Sequence, residues 1–167
     1  MFKLSIKTIS KSTLLLLLPI QVLALESDKK QDFILDADNN SAILKSGANQ
    51  QKFWGNVVIQ QGTLKIHSDT ATVTQGKTGI EKIVLTGSPV KMEQFIDKEY
   101  GQINVKANQI IYKVGQDLLE MTGDVLIKSK IQGEMSGEKI TMNTKTKEIK
   151  GAKSGDQRVR LIIKNNG

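Results

Sequence analysis

One histidine, no cysteine and two aspartates a residue apart are the side chains of this 167-residue chain on which catalysis could be built. A lone His67 cannot supply the paired imidazoles of a metal centre, and after Leu64-Lys65-Ile66 it falls on the polar side of the alternation. There is no thiol nucleophile, no G-x-S-x-G elbow and no phosphate-cradling glycine loop. Asp36 and Asp38 would share one face of an extended segment, as two carboxylates must to cleave a sugar linkage. Beside Asn39-Asn40 the same pair reads as a solvated turn entry, which is the preferred reading. Asn39-Asn40-Ser41 matches a glycosylation sequon, a motif too common to weigh. Lys139, Lys145, Lys147, Lys150 and Lys153 form a basic cluster, but without the interleaved aromatics that nucleic-acid binding uses. These residues point to no catalytic site, no metal, no cofactor and no nucleic-acid partner.

The elements around them are read as strands. Val57-Val58-Ile59 and Leu64-Lys65-Ile66 are short β-prone runs flanking Gln60-Gln61-Gly62-Thr63. Further runs follow at Ile83-Val84-Leu85, Val90-Lys91-Met92, Ile103-Asn104-Val105, Ile110-Ile111-Tyr112, Val125-Leu126-Ile127, Ile140-Thr141-Met142 and Val159 to Ile163. Glycine, asparagine and aspartate separate them, and no apolar period of 3.6 lasts three turns. The chain is predicted to be all-β, with about 14 to 16 short strands at a spacing of roughly 8 to 12 residues.

Two elements recur. Phe53-Trp54-Gly55-Asn56-Val57, Leu85-Thr86-Gly87-Ser88-Pro89-Val90 and Met121-Thr122-Gly123-Asp124-Val125 each set a glycine before a fresh run, with a weaker copy at Ile149-Lys150-Gly151. The glycines are 32, 36 and 28 residues apart. Between them lie Ala37-Asp38, Ser68-Asp69, Ala107-Asn108 and, more loosely, Gly137-Glu138. Ordered recurrence of both at this period suggests stacked units, none able to bury its apolar face alone.

The N-terminus reads as an export signal. Lys3, Lys7 and Lys11 precede the apolar run Leu14 to Leu18, then Pro19, then the small-residue site Val22-Leu23-Ala24. The apolar stretch is shorter than the roughly 20 residues of a membrane span. Cleavage after Ala24 is expected, with residues 1–24 a signal peptide and residues 25–167 one domain. That domain would have 143 residues, 21 basic and 17 acidic. Its charge is uneven, with 11 basic and 12 acidic groups in residues 25–120 against 10 and 5 in residues 121–167. With no disulfide available, stability must come from burial and backbone pairing.

Alternation sorts the side chains. Phe33 and Leu35, Val57 and Ile59, Leu64 and Ile66, and Val90 and Met92 pair on single faces, while Ile34, Val58, Lys65, His67 and Lys91 face the other way. Such a face suits acyl chains, but it equally suits a closed core, which is the ordinary use of an alternating β-protein. Pattern alone leaves both open, including a secreted carbohydrate-binding or scaffold protein with a filled interior.

The segment Phe53-Trp54-Gly55-Asn56-Val57-Val58-Ile59-Gln60-Gln61-Gly62-Thr63-Leu64-Lys65-Ile66 resembles the F-x-G-N-V-x-[IV]-x-Q-G-T-[IL]-K-I signature of the OstA-like family, with Trp54 a departure. Ser68-Asp69, Gly87-Ser88-Pro89-Val90, Ala107-Asn108 and Gly123-Asp124 follow in that family's order, and the likeness runs from Gln31 to Ile163. The resemblance implies an antiparallel β-jellyroll, a twisted V-shaped slot, in a periplasmic protein of lipopolysaccharide transport. It implies lipid A as ligand, with Phe33, Leu35, Phe53, Val57, Ile59, Leu64, Ile66, Leu85, Val90 and Met92 lining the groove. It also implies end-to-end stacking into a bridge, contacting an inner-membrane tether and an outer-membrane translocon with related domains. The edges expected to join are Phe33-Ile34-Leu35 and Arg158-Val159-Arg160-Leu161-Ile162-Ile163. Residues 25–40 carry a net charge of −3, against a basic final strand.

Overall fold

The computed structural model describes residue 28 and residues 31–45, 48–130 and 133–163. The expected signal peptide and its cleavage site lie outside these residues, as do Glu26, Lys29, Lys30 and Lys164. Ten strands form one open antiparallel sheet: β1 Ile34–Asp36, β2 Asn39–Lys45, β3 Ala48–Gln61, β4 Leu64–Gly76, β5 Gly79–Asp97, β6 Gly101–Lys113, β7 Leu118–Ser129, β8 Gly133–Asn143, β9 Ile149–Ala152 and β10 Arg160–Ile162. Sheet order follows the chain from β3 to β8. β1 and β2 both pair β3 at one end, and β9 and β10 both pair β8 at the other. Among the described residues no helix is long and apolar enough to cross a membrane.

The expected 14 to 16 strands are corrected to ten because the glycine elements do not separate strands. They crease them. Register slips between Trp54 and Val57 in β3, His67 and Thr70 in β4, Thr86 and Val90 in β5, Lys106 and Gln109 in β6, and Thr122 and Val125 in β7. These slips lie side by side across the sheet, with the extra residues in β3, β5 and β7, the strands that carry the glycines, and such bulges bend a strand. The row divides every long strand into two limbs. β1 and β2 are likewise the two limbs of one interrupted strand, as are β9 and β10, so the short runs of the sequence are limbs.

The crease explains the double repeat. Gly55-Asn56 and Gly123-Asp124 cross it with both residues left-handed, at φ +80° and +47°, and +78° and +48°. Glycine relieves the first position of a Cβ penalty, and Asn and Asp are the side-chain-bearing residues that best tolerate the second. The other repeated element supplies a short polar side chain from the neighbouring strand. Asp38 Oδ2 accepts from Asn56 Nδ2 at 2.8 Å, and Asp69 Oδ2 accepts from the Ser88 N–H at 3.1 Å. Asn108 sits where a Cβ on Gly123 would come within 2.7 Å of it. Strands supply crossing glycine and capping Asx in turn, so the period is one hairpin. Asp38 is therefore a crease residue. Gly151 has a different reason: a Cβ there would meet the Val159 methyls at 2.7 Å.

Apolar residues of both limbs face inward. Val57, Ile59, Leu64, Ile66, Val90, Met92, Val105, Val125 and Ile127 come from one limb, and Ala71, Val73, Ile83, Leu85, Ile110, Tyr112, Leu119, Met121 and Ile140 from the other. Each fully buried aliphatic side chain contributes about 1.5–3 kcal/mol. The crease lets one sheet bury its own face, with no α-helix among the described residues to cover it.

Candidate functional site

The interior between the limbs is where the expected groove residues meet. Val57, Ile59, Leu64, Ile66, Leu85, Val90 and Met92 are buried there, and Phe33, Leu35 and Phe53 pack against them half-buried. Ile34, Lys65, His67 and Lys91 are exposed, and Val58 is intermediate. His67 opens onto a polar cleft on the outer wall with Asp69, Ser88, Lys91 and Glu93, separated from the apolar interior by the sheet itself.

A cavity of about 30 Å³ lies towards the β8–β9 end. Met92, Gln94, Ile96, Ile103, Val105 and Ile127 line it from one limb, and Leu119, Met121, Met142, Thr144 and Ile149 from the other. Of the ten groove residues expected from sequence, only Met92 borders it. Ile103, Val105, Ile127 and Met142 were legible in the short runs of β6, β7 and β8, but parity was carried through only as far as Met92. The cavity's volume is about that of one water molecule in the liquid.

The rim beside the cavity is joined across the two limbs. Asp97 ends one limb of β5 and Lys147 lies in the turn between β8 and β9, with Lys147 Nζ 3.5 Å from Asp97 Oδ2. The same ammonium stands 5.2 Å from the centre of the Tyr100 ring. Asp97 Oδ1 accepts from the backbone N–H groups of Tyr100 at 2.8 Å and Glu99 at 2.9 Å. Chiefly through the Tyr100 N–H, and against some desolvation, these contacts and Lys147 hold its carboxyl below the usual carboxylate range. The stabilisation is therefore complete above the ordinary aspartate value and is lost only as pH falls through the lowered one. Both partners are more than a third exposed, so this fastening is weak.

The expected edges are the outermost strands. Ile34 on β1 and Leu161 and Ile162 on β10 are exposed, as are Val159 and Ile163 beside β10. Phe33 and Leu35 turn inward onto the core. The final strand is shorter than expected, Arg160–Ile162, because Arg158-Val159 leads into it with Val159 over Gly151. Sequence reasoning missed Ile43 and Leu44 on β2, exposed at 51% and 76% beside the first edge. It also counted Asp28 towards an acidic end. That residue is buried, and its carboxylate accepts from Thr63 Oγ1 at 2.6 Å over the β3–β4 turn. Among the described residues no three His, Asp or Glu side chains are grouped to hold a metal ion.

A single creased antiparallel sheet that encloses an apolar interior between its limbs defines an OstA-like β-jellyroll. Residues 35–148 match the model of the LptA/(LptD N-terminal domain) LPS transport protein family, and the chain belongs to that family. It is 29% identical over 163 residues to the lipopolysaccharide export system protein LptA of Escherichia coli K12, covering 96% of this chain and 85% of that protein. It is 30% identical over 146 residues to the lipopolysaccharide export system protein LptH of Pseudomonas aeruginosa, covering 81% and 77%. The crystal structure of LptH, titled the LptA-homologous periplasmic component of the lipopolysaccharide transport device, superposes with a TM-score of 0.69 at 25% identity, over 83% of this chain and 99% of that one.

Proposed function

We propose that this chain is a periplasmic, non-catalytic carrier that holds the lipid A acyl chains of lipopolysaccharide between its limbs. In this reading, copies stack head to tail into a bridge from the inner to the outer membrane, ending on OstA-like domains of the membrane components. The observation that carries it is an apolar interior shared by the two limbs and fastened at the rim by an exposed ion pair. Each methylene moved from water into that interior contributes about 0.8 kcal/mol, so several chains together outweigh a weak fastening. The small cavity means that the limbs must part for a chain to enter. The same tight packing favours a second reading, a scaffold or carbohydrate-binding module with a permanently filled core.

A photo-reactive residue at Phe33, Val57, Ile59 or Met92 is expected to capture lipopolysaccharide in cells, while one at Val58 or Lys65 is not. Mass analysis of the conjugates reads this directly. Equal labelling of inner and outer positions, or none at either, leaves the filled-core module.

Stacking is supported by the edges. β1 with β2, and β10 with β9, leave unpaired backbone groups at opposite ends of the sheet, which invite another strand. Asp32 and Asp36 lie near the first edge, and Arg158 and Arg160 near the last, so unlike ends attract and a heterologous contact propagates as a filament. Removing Arg158 to Gly167 is expected to leave a folded monomer that still binds lipid. Light scattering of the intact protein should show linear oligomers that grow with concentration and weaken in high salt. Identical oligomers from the truncated chain would exclude this edge.

A further inference from the structure

We propose that Gln94 is a polar anchor inside the slot, its side-chain amide donating to the carbonyl oxygen of an ester- or amide-linked acyl chain. The proposal rests on the reading of the interior as a lipid site and specifies which lipids it prefers.

Gln94 lies on β5 between Met92 and Ile96, and all three line the cavity. It is 8% exposed, and its Nε2 has no hydrogen-bond partner among the described residues. A buried donor without an acceptor is costly, and a methionine or leucine would fill the place without that cost. Gln61 differs in its donor: its Nε2 donates to the Gln31 carbonyl at 3.2 Å, although its own Oε1 is buried without a partner among the described residues.

A resident water would find few partners beside Gln94. The cavity has room for about one, but a buried water needs two to four polar partners. Gln94 and Thr144 are the polar side chains of the lining, and Thr144 Oγ1 already donates to the Asp117 carbonyl at 3.2 Å. What the cavity offers is one free donor among methionine, isoleucine, valine and leucine.

The depth selects the ligand group. Three residues separate Gln94 from Asp97 at the rim, which along a strand is roughly 10 Å. An amphiphile with its head group just inside the rim carries its linkage carbonyl a few bonds deeper, towards the Gln94 amide. A plain alkyl chain brings no acceptor and leaves the donor orphaned. Sites built around a hydrogen bond discriminate against analogues that lack it.

The test uses the full chain and two sulfonates of equal length below micelle concentration: N-dodecanoyltaurine, which has an amide carbonyl, and an unbranched alkanesulfonate, which has none. Calorimetry should show the wild type binding the acyltaurine about fivefold more tightly, as one neutral hydrogen bond allows. Gln94→Met and Gln94→Leu should each erase that preference while keeping the alkanesulfonate affinity. Without ligand, both should melt about 2–4 °C above the wild type, because the orphan donor has gone. The anchor is overturned if the preference survives substitution, if both ligands weaken together, or if the variants melt lower. Wild-type protein that binds both sulfonates equally also removes the anchor but leaves the slot. Wild-type protein that binds neither removes the lipid-site reading and the anchor with it.

Discussion

Ile59→Asp is expected to lower the unfolding free energy by about 3–5 kcal/mol, the scale of an uncompensated buried charge. Ile59 is 1% exposed, and its register neighbours are Leu35 on β1 and Ile66 on β4, neither of which can solvate a carboxylate. The group must be buried charged or take up a proton, and both routes destabilise the fold at neutral pH. Lys65→Asp, one strand away on the outer face, is the control. Lys65 is exposed and registers with Gln60 and Glu93, so a new aspartate meets one like charge in solvent and costs less than about 1 kcal/mol. Urea unfolding of the two variants measures the difference. Comparable losses would mean that the inner and outer faces have been assigned wrongly.

Gly123→Ala is expected to cost about 2–4 kcal/mol, although it adds one methyl group. Part is conformational, because at φ +78° an L-residue loses roughly 1–2 kcal/mol relative to glycine. The rest is steric. The new Cβ would stand 2.7 Å from both Cβ and Nδ2 of Asn108, so the cap must move away from the crease. Adding Asn108→Gly should recover the steric part and leave the conformational part, so the two changes are strongly non-additive. Gly115→Ala is the reference, since its Cβ would meet nothing within 4 Å and its φ is not left-handed. Thermal unfolding of the wild type, Gly123→Ala, Asn108→Gly, the double variant and Gly115→Ala checks the argument. A Gly123→Ala protein as stable as Gly115→Ala would show that the crease does not depend on glycine.

Much of this was readable along the chain because strand side chains alternate. The inward placement of Val57, Ile59, Leu64, Ile66, Val90 and Met92 follows from a period of two and needs no knowledge of partners. The spacing of Gly55, Gly87 and Gly123 was equally visible. Its meaning was not: the same glycines read as turns between short strands, whereas they are creases within long ones. A bulge and a turn use the same residues, and only the pairing partner on either side distinguishes them. Ser68-Asp69 and Ala107-Asn108 were seen as a second recurring element but not as caps, since their contacts are to residues 15 to 20 positions away on the next strand.

The sequence by itself determined that the chain is all-β, which side of each run is apolar, and that it holds one histidine and no cysteine, because composition and period are local properties. Only the tertiary structure decided which apolar faces meet. Inward parity reverses at the crease within β4, β5 and β6 but not within β3 or β7, so inward residues on one limb cannot be projected onto the next by counting. For that reason Met121 and Ile127 join Met92 around one cavity, Lys147 reaches Asp97 across 50 residues, and Gln94, an unremarkable polar residue on paper, stands with an unpaired amide inside an apolar slot.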